Sequence, residues 1–192
     1  YLYETLFIEQ HEHYSKRSYR NRCHIATSIG IQRLSIPLKK GKNEQLPIRE
    51  VRISYEENWQ KNHWSAIRTA YRNAPFFEHY EDFFRPFFTK KFDLLFEFNF
   101  EALKTILQIL DFKQTPALST SFQKATSGQV LDFRNKISPK SEKEADDPNF
   151  KAMKYPQVFE EKNGFIPNLS ILDLIFCACP QSPFYLENSI KT

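Results

Sequence analysis

At 192 residues, with 41% hydrophobic and 26% charged side chains, the chain is long enough to bury a full core and has the make-up of a soluble globule. No apolar run nears the roughly 20 residues that a membrane-spanning helix requires, and the start lacks the basic, apolar and small-residue order of a signal peptide. The net charge of +4 is modest and local, because Lys16, Arg17, Arg20 and Arg22 against Glu12 put +3 of it into Gln10 to His24; a non-specific nucleic-acid binder spreads a larger excess along a face.

These bounds predict a single cytoplasmic domain over 1–192. Its three cysteines, Cys23, Cys177 and Cys179, are too few and too unevenly placed for a disulfide framework and are expected to be reduced. The chain starts at Tyr1 without a methionine, so a native N-terminal portion is expected to be missing.

In chain order, "ETLFIE" from Glu4 to Glu9 has the content of a short buried strand. From Arg22 to Leu38, "RCHIATSIGIQRLSIPL" alternates well enough for two strands turning at Ser28, Ile29 and Gly30, an antiparallel hairpin. A polar loop follows from Gly41, and "IREVRIS" from Ile48 to Ser54 alternates like another half-buried strand. The period then changes. Trp59, His63, Ile67 and Tyr71 recur every four residues, one face of an amphipathic helix that Asn73 and Pro75 stop.

A short aromatic segment broken by Pro86 leads to a longer helix, from about Asp93 to Leu110, with Leu95, Phe98, Ala102, Ile106 and Ile109 inward. "ALSTSF" reads as an edge strand, and "SPKSEKEADDPN" predicts an exposed loop around 138–149. A terminal helix capped by Asn168 or Ser170 buries Ile171, Leu172, Leu174, Ile175 and Phe176. The sum is an α/β or α+β fold: a mixed sheet with N-terminal strands and a hairpin, packed by three or more helices. A purely parallel doubly wound sheet is the alternative.

The segment Gln10 to His24 holds three of the five histidines, four cations and two tyrosines. Guanidinium groups grip phosphate or carboxylate through forked hydrogen bonds, and a neighbouring tyrosine can stack on a ring, so Lys16, Arg17, Arg22 and Tyr19 are candidate ligand contacts. The same cations could instead pair with internal acids or solvate an exposed face. In an extended segment His11 and His13 would share a side, but two ligands do not make a metal site, and none is assigned. His63 lies in the inward stripe between Trp59 and Ile67. It is either a core histidine or a general base, with Trp64, Arg68 and Tyr71 extending the same wall, although Tyr71 equally well fills core.

The cysteine pair in "CAC" matches no redox or zinc spacing and reads as packing. There is no P-loop, no G-x-G-x-x-G, no G-x-S-x-G and no H-E-x-x-H, and four glycines leave little room for a phosphate cradle. Phosphate binding would fall to side chains or helix ends. Neither a cofactor nor an oligomeric state is indicated.

Taken in order across nearly the whole chain, "YLYETLFIEQHEHYSKRSYRNRCHI", "LSIPL", "NWQKNHWSAIRTAYRNAPFFEHY", "YPQVF" and "FIPNLSILDLIF" resemble the WbqC-like protein family of bacteria. The resemblance implies an association with surface-polysaccharide loci such as those for O-antigen, and hence a cytoplasmic enzyme modifying an activated sugar. It places the family's recurring polar and aromatic residues on Gln10, Lys16, Arg17, Tyr19, Asn21 and Arg22, on Trp59, His63, Trp64, Tyr71, Pro75 and Tyr80, and on Gln157, Ser170 and Asp173. The chain departs from the family in its final "CACPQ", where a polar, glycine-containing turn is expected.

Two functions follow. In the first, a group transferase acts on an anionic small molecule, a nucleotide sugar or one served by an acyl donor. Lys16, Arg17, Tyr19, Asn21, Arg22, Trp64 and Tyr71 would bind the substrate, and His63 or His11 would move the proton. In the second, a non-catalytic module binds an anionic partner: a nucleic acid, an acidic protein or a lipid headgroup. Local rather than global basicity makes nucleic acid the weaker partner.

Overall fold

The computed structural model describes residues 5–124, 132–134, 137 and 150–190. The loop expected around 138–149 lies outside the described residues. In chain order the elements are strand β1 (Phe7–Ile8), a 3-10 turn (Tyr19–Asn21), strands β2 (Arg22–Thr27) and β3 (Gly30–Ser35), and 3-10 turns at Asn43–Gln45 and Ile48–Glu50. Helices α1 (Trp59–Tyr71) and α2 (Phe77–Phe84), a 3-10 turn (Arg85–Phe88) and helix α3 (Leu95–Ile109) follow. Strand β4 (Ala117–Leu118) and helices α4 (Glu160–Asn163), α5 (Ile171–Ala178) and α6 (Ser182–Glu187) complete the described chain. The fold is α/β, with both parallel and antiparallel strand pairing.

The chain packs as two compact units, each assembled from separate stretches. The first comprises Tyr1–Asn21, Pro37–Ser54 and Phe92–Ala145. The second comprises Arg22–Ile36, Tyr55–Lys91 and Asp146–Thr192.

In the first unit β1 pairs in parallel with β4, Phe7 opposite Ala117 and Ile8 opposite Leu118. "ALSTSF" therefore supplies a strand, as its composition predicts. The Ile48–Ser54 segment differs from the strand expected of it. Pro47 leads into a 3-10 turn whose three-residue period carries Ile48 and Val51 to the same side, both buried, and the chain extends only beyond it. There Arg52 bridges to Leu94 and Ile53 to Leu38. The amide of Leu95 donates to the carbonyl of Val51 at 2.8 Å, which fixes the start of α3. Along α3, Leu95 is fully buried, while Phe98, Ala102, Ile106 and Ile109 are half-buried.

In the second unit β2 and β3 form the predicted antiparallel hairpin, from Arg22 opposite Ser35 to Thr27 opposite Gly30. Gly30 takes φ +111°, a left-handed conformation that favours glycine, and the Thr27 hydroxyl donates to its carbonyl at 2.8 Å. Helix α1 packs on β2, and α2 and α5 pack together. Here the phenylalanine-rich sequence finds its use. Phe176 of α5 meets the rings of Tyr71, Phe77 and Phe84 at centroid distances of 5.4, 5.0 and 5.5 Å. Burying each such ring is worth about 2 to 3 kcal/mol against leaving it in water.

Candidate functional site

The basic stretch of the first unit is largely a framework. Residues 10–12 form bends rather than an extended strand, so the shared side proposed for His11 and His13 does not form; His11 is half-buried and His13 exposed. Around Ser119 the chain builds a polar knot. Gln10 donates its amide to the Ser119 hydroxyl at 3.1 Å and its side-chain nitrogen to the Ser119 carbonyl at 2.7 Å, and His11 Nε2 lies 3.3 Å from that carbonyl. The Ser119 hydroxyl in turn donates to Glu9 at 2.8 Å. Burial works to raise the Glu9 pKa, but the amides of Gln123 and His11, the Ser119 hydroxyl and Arg134 outweigh it and hold the carboxyl below its ordinary range.

The four cations separate by environment. Arg20 makes a two-pronged pair with Glu12, at 2.8 and 2.7 Å, with each side chain only 16% exposed. Lys16 pairs with Glu44 at 2.8 Å in full view of solvent. Arg17 is exposed and holds φ at +56°, so the backbone turns sharply there while Ser18, buried, anchors the loop by donating to the Ser15 carbonyl at 2.6 Å. Tyr19 and Asn21 are half-buried in the 3-10 turn that follows.

The second unit holds the other candidates. Arg22 opens β2, and its Nε is buried without a hydrogen-bond partner among the described residues. His63 is half-buried on α1, its ring edge-on to Trp59 at 5.2 Å. Burial pushes its pKa below the usual histidine value, so the imidazole is neutral at neutral pH. Tyr71 is sealed at 0% exposure. Its hydroxyl donates to Asp173 Oδ1 at 2.8 Å and accepts the Ala26 amide at 3.2 Å, which ties α1 to β2 and α5.

Asp173 itself is fully buried and receives further donors from Tyr155 at 2.8 Å and Gln157 at 3.0 Å. Burial raises its pKa in spite of these three donors, and it pushes both tyrosine hydroxyls well above their ordinary range. Cys177, also buried, is pushed up to about 12 by burial and by Asp173. All three cysteines are free.

The two faces of α1 do different things. Trp59, His63, Ile67 and Tyr71 follow one stripe, whereas Lys61, Ser65, Arg68 and Arg72 recur at i, i+4, i+7 and i+11 on the opposite side. That outer side forms an open cleft of about 470 Å³ lined by Lys61, Trp64, Ser65, Arg68, Thr69, Arg72 and Phe88. Trp64 therefore belongs to this cleft and not to the face of His63; its ring stacks with Phe88 at 5.4 Å and Phe77 at 6.3 Å. Sequence reasoning passed over Lys61 and Arg72, because isolated charges on an amphipathic helix read as its solvent side. Their i, i+7, i+11 spacing with Arg68 was the available signal.

Among the described residues no group of His, Cys, Asp and Glu could hold a metal ion, and no helix is long and apolar enough to cross a membrane.

A family model described as "WbqC-like protein family" matches residues 3–184. The chain is also similar to the "Uncharacterized protein Rv1507c" of Mycobacterium tuberculosis, at 29% identity over 196 residues, covering 91% of this chain and 84% of that protein. No solved structure matches.

Proposed function

This chain belongs to the WbqC-like protein family, and from that premise we propose that it is a cytoplasmic enzyme that transfers a group on an activated, anionic sugar in bacterial surface-polysaccharide biosynthesis. The observation that carries the reading is His63. Its imidazole is kept neutral by burial, packs edge-on to Trp59, and lies on the helix that packs against the strand opened by Arg22. A neutral imidazole can take the proton of an attacking hydroxyl or amine. His11 is the weaker base, since its Nε2 lies against the Ser119 carbonyl.

Arg22, with its buried partnerless Nε, and the exposed Arg17 are the anion contacts. Lys16 joins them by leaving Glu44, an exchange that costs little because exposed ion pairs are worth about 0 to 1 kcal/mol. Tyr19 and Asn21 line the approach. Tyr71 serves from within, holding α1 in place.

The test is thermal stabilisation against nucleotide sugars and acyl donors, followed by turnover assays. A ligand that binds the folded state raises the melting temperature by mass action. The expected result is a selective shift that R17A and R22A abolish, with H63Q retaining binding and losing turnover. A bound donor indifferent to both arginines, or turnover intact in H63Q, overturns the assignment.

A second reading, a non-catalytic module for an anionic partner, is favoured by the cationic cleft of α1, whose lining contains neither a carboxylate nor a histidine. Saturable binding that falls steeply with salt and never leads to turnover would select it.

A further inference from the structure

The outer cleft of α1 is a second ligand site, and it goes beyond the reading above. Its cations are Lys61, Arg68 and Arg72, and among the described residues none of the three has an acidic partner. Arg68 and Arg72 stand one helical turn apart, about 6 Å along the axis, close enough to grip adjacent phosphates. Lys61 lies about 10 Å further along the same stripe. Ser65 and Thr69 add hydroxyls between the charges, and Trp64 and Phe88 form an aromatic wall.

Three like charges on one stripe repel each other and cost stability unless something offsets them. The volume bounds what that is. About 470 Å³ matches the clefts that take small ligands, whereas a nucleic-acid footprint runs on as an extended basic face.

We infer that this cleft binds an organic diphosphate of the nucleoside diphosphate class, with the diphosphate on Arg68 and Arg72 and the planar ring against Trp64 and Phe88. Ligand seated there is on the far side of α1 from His63 and takes no part in proton transfer. The cleft is a binding or regulatory site.

The probe is uridine diphosphate, titrated calorimetrically into full-length R22A protein at low salt, so that the diphosphate contact proposed for Arg22 is absent. Binding is expected to persist in R22A and to weaken by about tenfold or more when R68A and R72A are added, because each removes a charge-assisted bond. Both arginines are exposed, and unchanged melting temperatures of the unliganded variants confirm that the fold is kept. Absence of binding in R22A overturns the inference, as does binding indifferent to R68A and R72A. Pyrophosphate binding as tightly as uridine diphosphate overturns the aromatic subsite, and capture of single-stranded DNA without uridine diphosphate overturns the ligand class. Loss of turnover in H63Q bears only on the enzyme reading, so the two stand or fall separately.

Discussion

Tyr71 and Asp173, 102 residues apart in sequence, share a 2.8 Å hydrogen bond, with both side chains at 0% exposure. The phenol donates to the carboxylate and accepts the Ala26 amide, so one oxygen links three elements. Removing it with Y71F leaves a buried amide without an acceptor and a buried carboxylate short of a donor. Loss of about 1 to 3 kcal/mol is expected, read as a lower urea midpoint at unchanged slope.

Asp173 also predicts a pH dependence. Burial raises its folded pKa above the unfolded value, so the folded state holds the proton more tightly. Its contribution to stability is therefore fully present below the ordinary aspartate pKa and is lost as pH rises through the folded value. Stability of the wild type relative to D173N is expected to decline over that rise. A difference that is flat with pH would contradict it.

For His63 the sign is opposite. Its folded pKa is depressed, so the unfolded chain takes up the proton first as pH falls. Stability drops as pH passes down through the unfolded histidine pKa, about 6.5, and H63Q loses this component. Proton NMR of the imidazole checks it directly: His63 should titrate at lower pH than the exposed His13.

The two ion pairs of the basic stretch should behave unequally. E12A strands Arg20 in a site where its side chain is 16% exposed, and a loss of about 2 to 3 kcal/mol is expected. K16A removes half of an exposed pair and should change stability by less than about 0.5 kcal/mol. Paired chemical melts of the two variants measure the contrast.

Ser170 caps α5 by accepting the Leu172 amide, so S170A is expected to cost about 1 kcal/mol and S170D less. Thermal melts rank the two.

What could be read from the sequence was local. The hairpin announced itself through Ser28, Ile29 and Gly30, and α1 through a four-residue repeat from Trp59 to Tyr71, because turn chemistry and periodicity act over a few residues. The Ile48 segment misled because Ile48, Val51 and Ile53 fit a strand alternation at two points and a 3-10 period at two, and only Pro47 favoured the turn. Asp173 sat inside "ILDLIF" as an apparently ordinary polar face of a helix. Its burial depends on Tyr71, Tyr155 and Gln157, which no periodicity connects to it, although the family resemblance marked Tyr71, Gln157 and Asp173 together. Likewise, Arg20 reads as one more cation until Glu12 is seen to enclose it.

The chain passes between its two units after Asn21, Ile36, Ser54 and Lys91, so neither unit exists as one continuous segment. Neither could be cut out by choosing a single start and stop. During synthesis, the hydroxyl of Tyr71 must wait for a carboxylate made 102 residues later, a delay of roughly 5 to 20 s at ordinary ribosomal rates. Through that interval the nascent α1 presents Ile67 and Tyr71 without Phe176 to cover them, and anything that shortens the chain before Asp173 leaves that surface open for good.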